Sequence, residues 1–195
     1  QSGDEVAIKF NFNNAADCGG GNDNVLDGLS ETANAIITGL TAMGVPAENI
    51  WIYDAARRVI PTRFIQGVDN QNVKFFGASP NGACGSNYYY TGFVDATSPQ
   101  VSRFSCPALA SDVIRPAQIL VDAEHLINVP IFRSHGGMAS FALKNHYGSV
   151  WYQNNTQNTL HAYFDPLDPT GTGNYGCNLN TQNALADISN NPNIK

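Results

Sequence analysis

The sequence predicts an α/β fold: a mostly parallel, Rossmann-like sheet with flanking helices. Three observations predict it. Glu5 to Phe12 (EVAIKFNF) alternates and is rich in β-formers, whereas Val25, Leu26, Leu29, Ala33, Ile36, Ile37 and Leu40 recur at helical spacing. Ile50 to Tyr53 (IWIY) is then a short apolar run. Strand, helix and strand in so short a stretch make a βαβ unit, whose crossover should be right-handed.

Each element follows from local chemistry. Asn24 is placed to cap the first helix, with Asp27 in its first turn where the helix dipole favours an acid. Gly44 followed by Pro46 stops it. A second helix is expected from Ala56 to Gln66, broken or begun around Pro61, and a third strand from Val73 to Phe76. From Ala78 to Pro107 the composition turns to Ser, Asn, Gly, Pro and Tyr, which reads as an inserted hairpin carrying Tyr88-Tyr89-Tyr90. The α/β pattern resumes with Ile119 to Val121 and with a strand from Leu126 to Phe132 (LINVPIF). After Gly136-Gly137 a helix is expected from Met138 to about Tyr147. Residues 150–195 are loop-rich, with Pro166, Pro169, Gly171, Gly173 and Gly176, until a short helix from Thr181 to Ile188. The whole reads as a single α/β domain over residues 1–195.

Only 13% of the 195 residues are charged, and the net charge is −6. An ordinary globular domain carries roughly a quarter. With 43% hydrophobic residues there is ample material for a core, which excludes a disordered chain. An acidic balance with scattered bases argues against nucleic acid or an anionic membrane as partner, because no basic patch supplies the attraction. No apolar run approaches the length of a membrane span. The low Lys content, the abundance of Asn and the start at Gln1 lead us to expect an exported protein, periplasmic, cell-surface or extracellular.

The cysteine count agrees with export. Cys18, Cys84, Cys106 and Cys177 are even in number and form no C-x-x-C pair, so an intrinsic iron–sulfur cluster, a zinc ribbon and a haem attachment motif lack their spacing. Two disulfides are the expected state, and buried free thiols the alternative. Of the three connectivities, Cys84–Cys106 with Cys18–Cys177 is favoured, since the first closes the insertion and the second ties distant loops.

Candidate chemistry gathers at the carboxyl edge of the sheet, where open α/β folds place ligands. The first strand delivers Asn11 and Asn13 there, the second Asp54 with Arg57, and the LINVPIF strand Ser134 and His135. Gly136-Gly137 lets a ligand approach the backbone, and Lys144 on the next helix reaches back. Such a set suits a small anionic ligand, or a proton transfer near neutral pH with His135 as acid or base. The alternative is that Lys144 and Asn145 simply tie helix to sheet through hydrogen bonds. A dinucleotide site is disfavoured: Gly19-Gly20-Gly21 precedes a helix, but Asn24 stands where the third glycine of G-x-G-x-x-G belongs. His125, His135 and His146 invite a metal reading, with a divalent metal as the candidate cofactor and His135 as its ligand. A straight strand, however, would hold His125 and His135 roughly 25–30 Å apart.

The stretch LINVPIFRSHGGMASFALKNHYGS (Leu126–Ser149) resembles the family known only as domain of unknown function 362. There a strand ends in N-x-P-x-[KR]-x-H and leads to K-N-x-x-G; the matching residues are Asn128, Pro130, Arg133 and His135, then Lys144, Asn145 and Gly148. Lys9 and Asn11 in I-K-x-N, and the stretch ending at Asp54, fit as well. The resemblance covers about the first 150 residues. The family's activity is unsettled. The candidate site read from the residues takes His135, Lys144 and Asn145 as catalytic residues, with Lys9 and Arg133 joining Asn11, Asn13, Asp54 and Arg57 in ligand binding. The resemblance implies further strands beyond this chain, supplied by a remainder or another polypeptide. The competing expectation is an extracellular structural or assembly protein, an oligomer or filament built through its low-charge Asn/Gly/Tyr-rich surface. A third is a binding module without catalysis.

Overall fold

The computed structural model describes residues 4–12, 28–55, 60–78, 87–95, 97–103, 113–135, 138–140 and 142–152; for 102–103, 113–114, 133–135, 138–140, 143, 144, 147, 151 and 152 it describes backbone alone. Its first half is β1 (Val6–Lys9), α1 (Ser30–Ala42), β2 (Ile50–Asp54), α2 (Thr62–Gly67), β3 (Lys74–Gly77) and β4 (Tyr88–Tyr90). Then come β5 (Ser102–Arg103), β6 (Val113–Pro116), α3 (Ile119–Asp122), β7 (His125–Asn128), β8 (Arg133–His135) and β9 (Met138–Ser140). The described chain ends with α4 (Ala142–Asn145), a 3-10 turn (His146–Ser149) and β10 (Val150–Tyr152).

Five strands form one parallel sheet in the order β4-β3-β2-β1-β7. This is the mostly parallel, Rossmann-like α/β architecture that the sequence predicts. The chain steps outward from β1 through β2 and β3 to β4, then returns to place β7 on the other side of β1. The direction of winding therefore reverses between β1 and β7, and such a reversal opens a crevice at the carboxyl ends of the strands.

Strand alternation divides the core between two faces. Val6, Ile8, Phe10 and Phe12 pack with Ile50, Ile52 and Phe75 against Ala33, Ile37 and Leu40 of α1 and Phe64 and Ile65 of α2. Phe64 touches Phe12 with ring centroids 4.8 Å apart and Phe10 at 5.3 Å, both edge-on. On the other face Ala7, Tyr53 and Ala55 meet Ile119, Leu120 and Ala123 of the α3 segment. Lys9 lies in register with Tyr53 on β2 and with Asn128 on β7, so all three belong to this second face.

Several elements differ from expectation. Helix α1 begins at Ser30, with Leu29 ahead of it 56% exposed. The cause is Gly28, whose N–H donates to the Asn11 carbonyl at 2.9 Å and holds the chain extended there. Tyr88–Tyr90 pairs parallel with β3 as an edge strand instead of forming an arm of a hairpin; the antiparallel pair in that region is β5 with β6. The run at Ile119 is a single helical turn. The strand expected to reach Phe132 ends at Asn128, and the last bond to β1 comes from the Val129 N–H, just before Pro130, which has no N–H to give. The helix expected from Met138 to Tyr147 is instead β9, a four-residue α4 and the 3-10 turn. Gly136-Gly137 separates the antiparallel strands β8 and β9 by two residues, a hairpin spacing that glycine pairs favour.

Candidate functional site

At the carboxyl end of β1 the backbone turns a lysine into the protein. Lys9 is 1% exposed and faces Asp54 at the end of β2, with Nζ 3.3 Å from Oδ1. A buried cation is tolerated only with partners for its protons. Nζ donates to the Phe10 carbonyl, to Asn145 Oδ1 at 3.3 Å and to Asp54, three acceptors for the three N–H bonds of an ammonium. Burial pushes the Lys9 amine below the usual lysine range, and the Asp54 carboxylate pulls it back. The second carboxylate oxygen of Asp54 accepts the Phe12 N–H at 2.8 Å, fixing the chain just beyond β1.

Asn145 closes this cluster from the other half of the chain. Its Nδ2 donates to Asn128 Oδ1 at 2.7 Å, to the Lys9 carbonyl at 3.2 Å and to the Val129 carbonyl at 3.4 Å. Asn128 Nδ2 in turn donates to the Ala142 carbonyl at 2.8 Å. One side chain thus bridges β1 and β7 at the winding reversal. Gly148 lies over the ion pair, where a Cβ would stand 2.5 Å from Asp54 Oδ1 and 2.7 Å from Lys9 Nζ. Only glycine lets the 3-10 turn come so close. Ala55 N–H donates to the Gly148 carbonyl at 2.7 Å, and Ala117 N–H to that of Ser149 at 2.9 Å, which holds the turn against the sheet.

Beside the pair runs a second buried chain. Tyr53 Oη lies 3.0 Å from Ser149 Oγ, which lies 3.1 Å from His146 Nδ1. Burial, and then the charge on Lys9, depress His146 to about 4, so its imidazole is neutral at pH 7. Burial also raises the Tyr53 phenol, which keeps its proton. The arrangement that gives both hydroxyl protons an acceptor has Tyr53 donating to Ser149 and Ser149 donating to His146 Nδ1. That places the imidazole proton on Nε2.

The sequence-predicted residues fall into three groups. Lys9, Asp54 and Asn145 converge, with Lys9 enclosed in the protein rather than facing the crevice. Asn11 is partly buried just past β1. Arg133 and His135 belong to β8 and Lys144 to α4, with backbone alone described, while Asn13, Arg57, Cys18, Cys84, Cys106 and Cys177 lie outside the described residues. Among the described residues no group of three His, Cys, Asp or Glu side chains could hold a metal ion, and no helix is long and apolar enough to cross a membrane. His125, at the opposite end of the sheet, is 3.2 Å from Asp4.

Sequence reasoning passed over Tyr53, Gly148 as a close-approach residue, and Ser149. The spacing of Gly148 three residues after Asn145 was their only signal. Compared with known proteins, the chain matches no family model, no curated protein and no solved structure.

Proposed function

We propose that this chain is an exported α/β protein that binds a small anionic ligand or a divalent metal at the carboxyl edge of its sheet, in the crevice between β1 and β7. A resemblance to the domain of unknown function 362 family supports an enzyme-like site there. The observation that carries the reading is the coincidence of two features. The winding of the sheet reverses at β1/β7, and the buried polar side chains Lys9, Asp54 and Asn145 meet at that same point. They form a buried base beneath that edge. Asn11, just past β1, and the segment from Asn128 to Ile131 are half-buried, and the latter leads towards Arg133 and His135. In this reading His135 and Lys144 supply the reacting or ligand-holding groups, and Asn145 fixes the helix that carries Lys144.

Titration calorimetry of the full chain with zinc, manganese and inorganic phosphate tests this. We expect binding of at least one probe, and its loss in His135→Ala and Lys144→Ala with thermal stability nearly unchanged. Absence of binding to every probe, or loss of folding in both variants, overturns the assignment.

A second reading has its own observation. Among the described residues strand β4 ends the sheet, and Tyr89 and Tyr90 on it are 43% and 49% exposed. An edge strand carrying large exposed rings is a surface for assembly with another copy. Light scattering then shows an oligomer at low concentration, whereas a strictly monomeric protein removes this reading.

A further inference from the structure

A lysine, a carboxylate and an asparagine side chain buried together are the groups required for an internal amide bond. We propose that Lys9 and Asn145 are a site of self-catalysed cross-linking, in which Nζ displaces the side-chain nitrogen of Asn145 as ammonia. This inference uses the buried residues beneath the proposed ligand site, but it does not depend on that site binding a ligand.

The geometry supplies each requirement. The nucleophile and the amide are held together, with Nζ 3.3 Å from Asn145 Oδ1. Such enforced proximity replaces a bimolecular encounter. Proton traffic has a carrier, since Asp54 Oδ1 is 3.3 Å from Nζ. Hydrolysis is suppressed, because Lys9, Asp54 and Asn145 are 1%, 2% and 4% exposed. Burial also weakens the hold of the lysine on its proton. The leaving group has a receptor as well. Nδ2 lies within hydrogen-bond reach of three acceptors, Asn128 Oδ1 and the Lys9 and Val129 carbonyls. An amide nitrogen carries only two hydrogens, whereas the protonated nitrogen that departs carries three. The site therefore favours the departing form.

The step balances without an oxidant or cofactor. The Lys9 ammonium gives a proton to Asp54, and the freed lone pair attacks Cγ of Asn145. In the tetrahedral adduct Asp54 returns a proton to Nδ2 and takes one from Nζ. The Cγ–Nδ2 bond breaks, the carbonyl re-forms, and ammonia leaves with the proton held by Asp54. The product is a secondary amide joining β1 to α4 across the crevice floor.

The test is peptide mapping of the reduced, denatured full chain after trypsin. A cross-link blocks cleavage at Lys9 and yields one branched peptide that contains both Lys9 and Asn145, lighter by about 17 Da than its two linear arms. We expect the branched peptide in the wild-type chain and its absence in Lys9→Met and Asp54→Asn. Recovery of Lys9 and Asn145 from wild type in separate linear peptides of full mass overturns the proposal. A branched peptide persisting in Asp54→Asn overturns the role of Asp54 as proton carrier.

Discussion

At the scale of single residues, a tight constraint falls on the buried ion pair at Gly148. An added methyl would overlap both members of the Lys9–Asp54 pair, at 2.5 and 2.7 Å, and neither buried end can swing into solvent. Gly148→Ala should therefore cost roughly 2–4 kcal/mol in urea unfolding, as the strain of overpacking adds to the loosening of a buried ion pair. Gly39 is the internal control. It lies exposed within α1 with no atom near the position of a Cβ, so Gly39→Ala should instead stabilise by about 0.5–1 kcal/mol. Equal effects at the two positions would show that the turn does not press on the pair. The sequence made Lys9, Asp54 and Asn145 legible as members of one site, because strand endings and motif spacing are one-dimensional signals. It did not make legible that Lys9 faces inward. That depends on Asn145 of α4 arriving from 136 positions along the chain to supply one of its acceptors, with Asn128 of β7 holding the Asn145 amide in place.

At the scale of elements, the 3-10 turn His146–Ser149 owes its place to polar contacts, and one of them titrates. His146 is held at about 4 by burial and by Lys9, while an unfolded imidazole takes its proton near 6.5. The folded-state value is the lower one, so the contribution to stability is complete above pH 6.5 and is lost as pH falls towards 4. Protonation would also place a hydrogen on Nδ1, ending its role as acceptor for Ser149. We expect stability to fall by at most about 3 kcal/mol over that window from this group alone. Carboxylates titrate near its lower end, so the diagnostic is the difference between wild type and His146→Gln, whose amide oxygen still accepts a hydrogen bond. The variant should show a flatter midpoint-against-pH curve between 6.5 and 4; parallel curves would mean that His146 is solvated. The elements themselves were legible where periodicity is long, as in β1, α1 and β2. From Met138 to about Tyr147, where one helix is expected, the chain forms a hairpin strand, a four-residue helix and the start of the 3-10 turn. Four-residue elements carry too few residues for a period to declare itself.

For the whole molecule, the strand order sets a gradient of protection. β1 and β2 are internal strands whose side chains are buried on both faces, whereas β4 has a described neighbour on one side only. In the ladder between β3 and β4 the Thr91 N–H donates to the Gly77 carbonyl and the Phe75 N–H to the Asn87 carbonyl. A parallel ladder uses alternate residues towards one neighbour, so the Tyr90 N–H points away from β3. The strand–helix–strand pattern was enough to predict a parallel sheet, but not which strand would end it, since tyrosine-rich β4 reads equally as a local hairpin. Native-state hydrogen exchange can decide what that edge does. In dilute solution the amides of Ile8 and Ile52 should exchange only through global unfolding, and Tyr90 should exchange several orders of magnitude faster. If β4 is an assembly surface, Tyr90 alone should slow as protein concentration rises, because a strand from a second copy would take up its N–H. Concentration-independent, rapid exchange at Tyr90 would leave the edge without a partner and favour the crevice between β1 and β7 as the working part of the molecule.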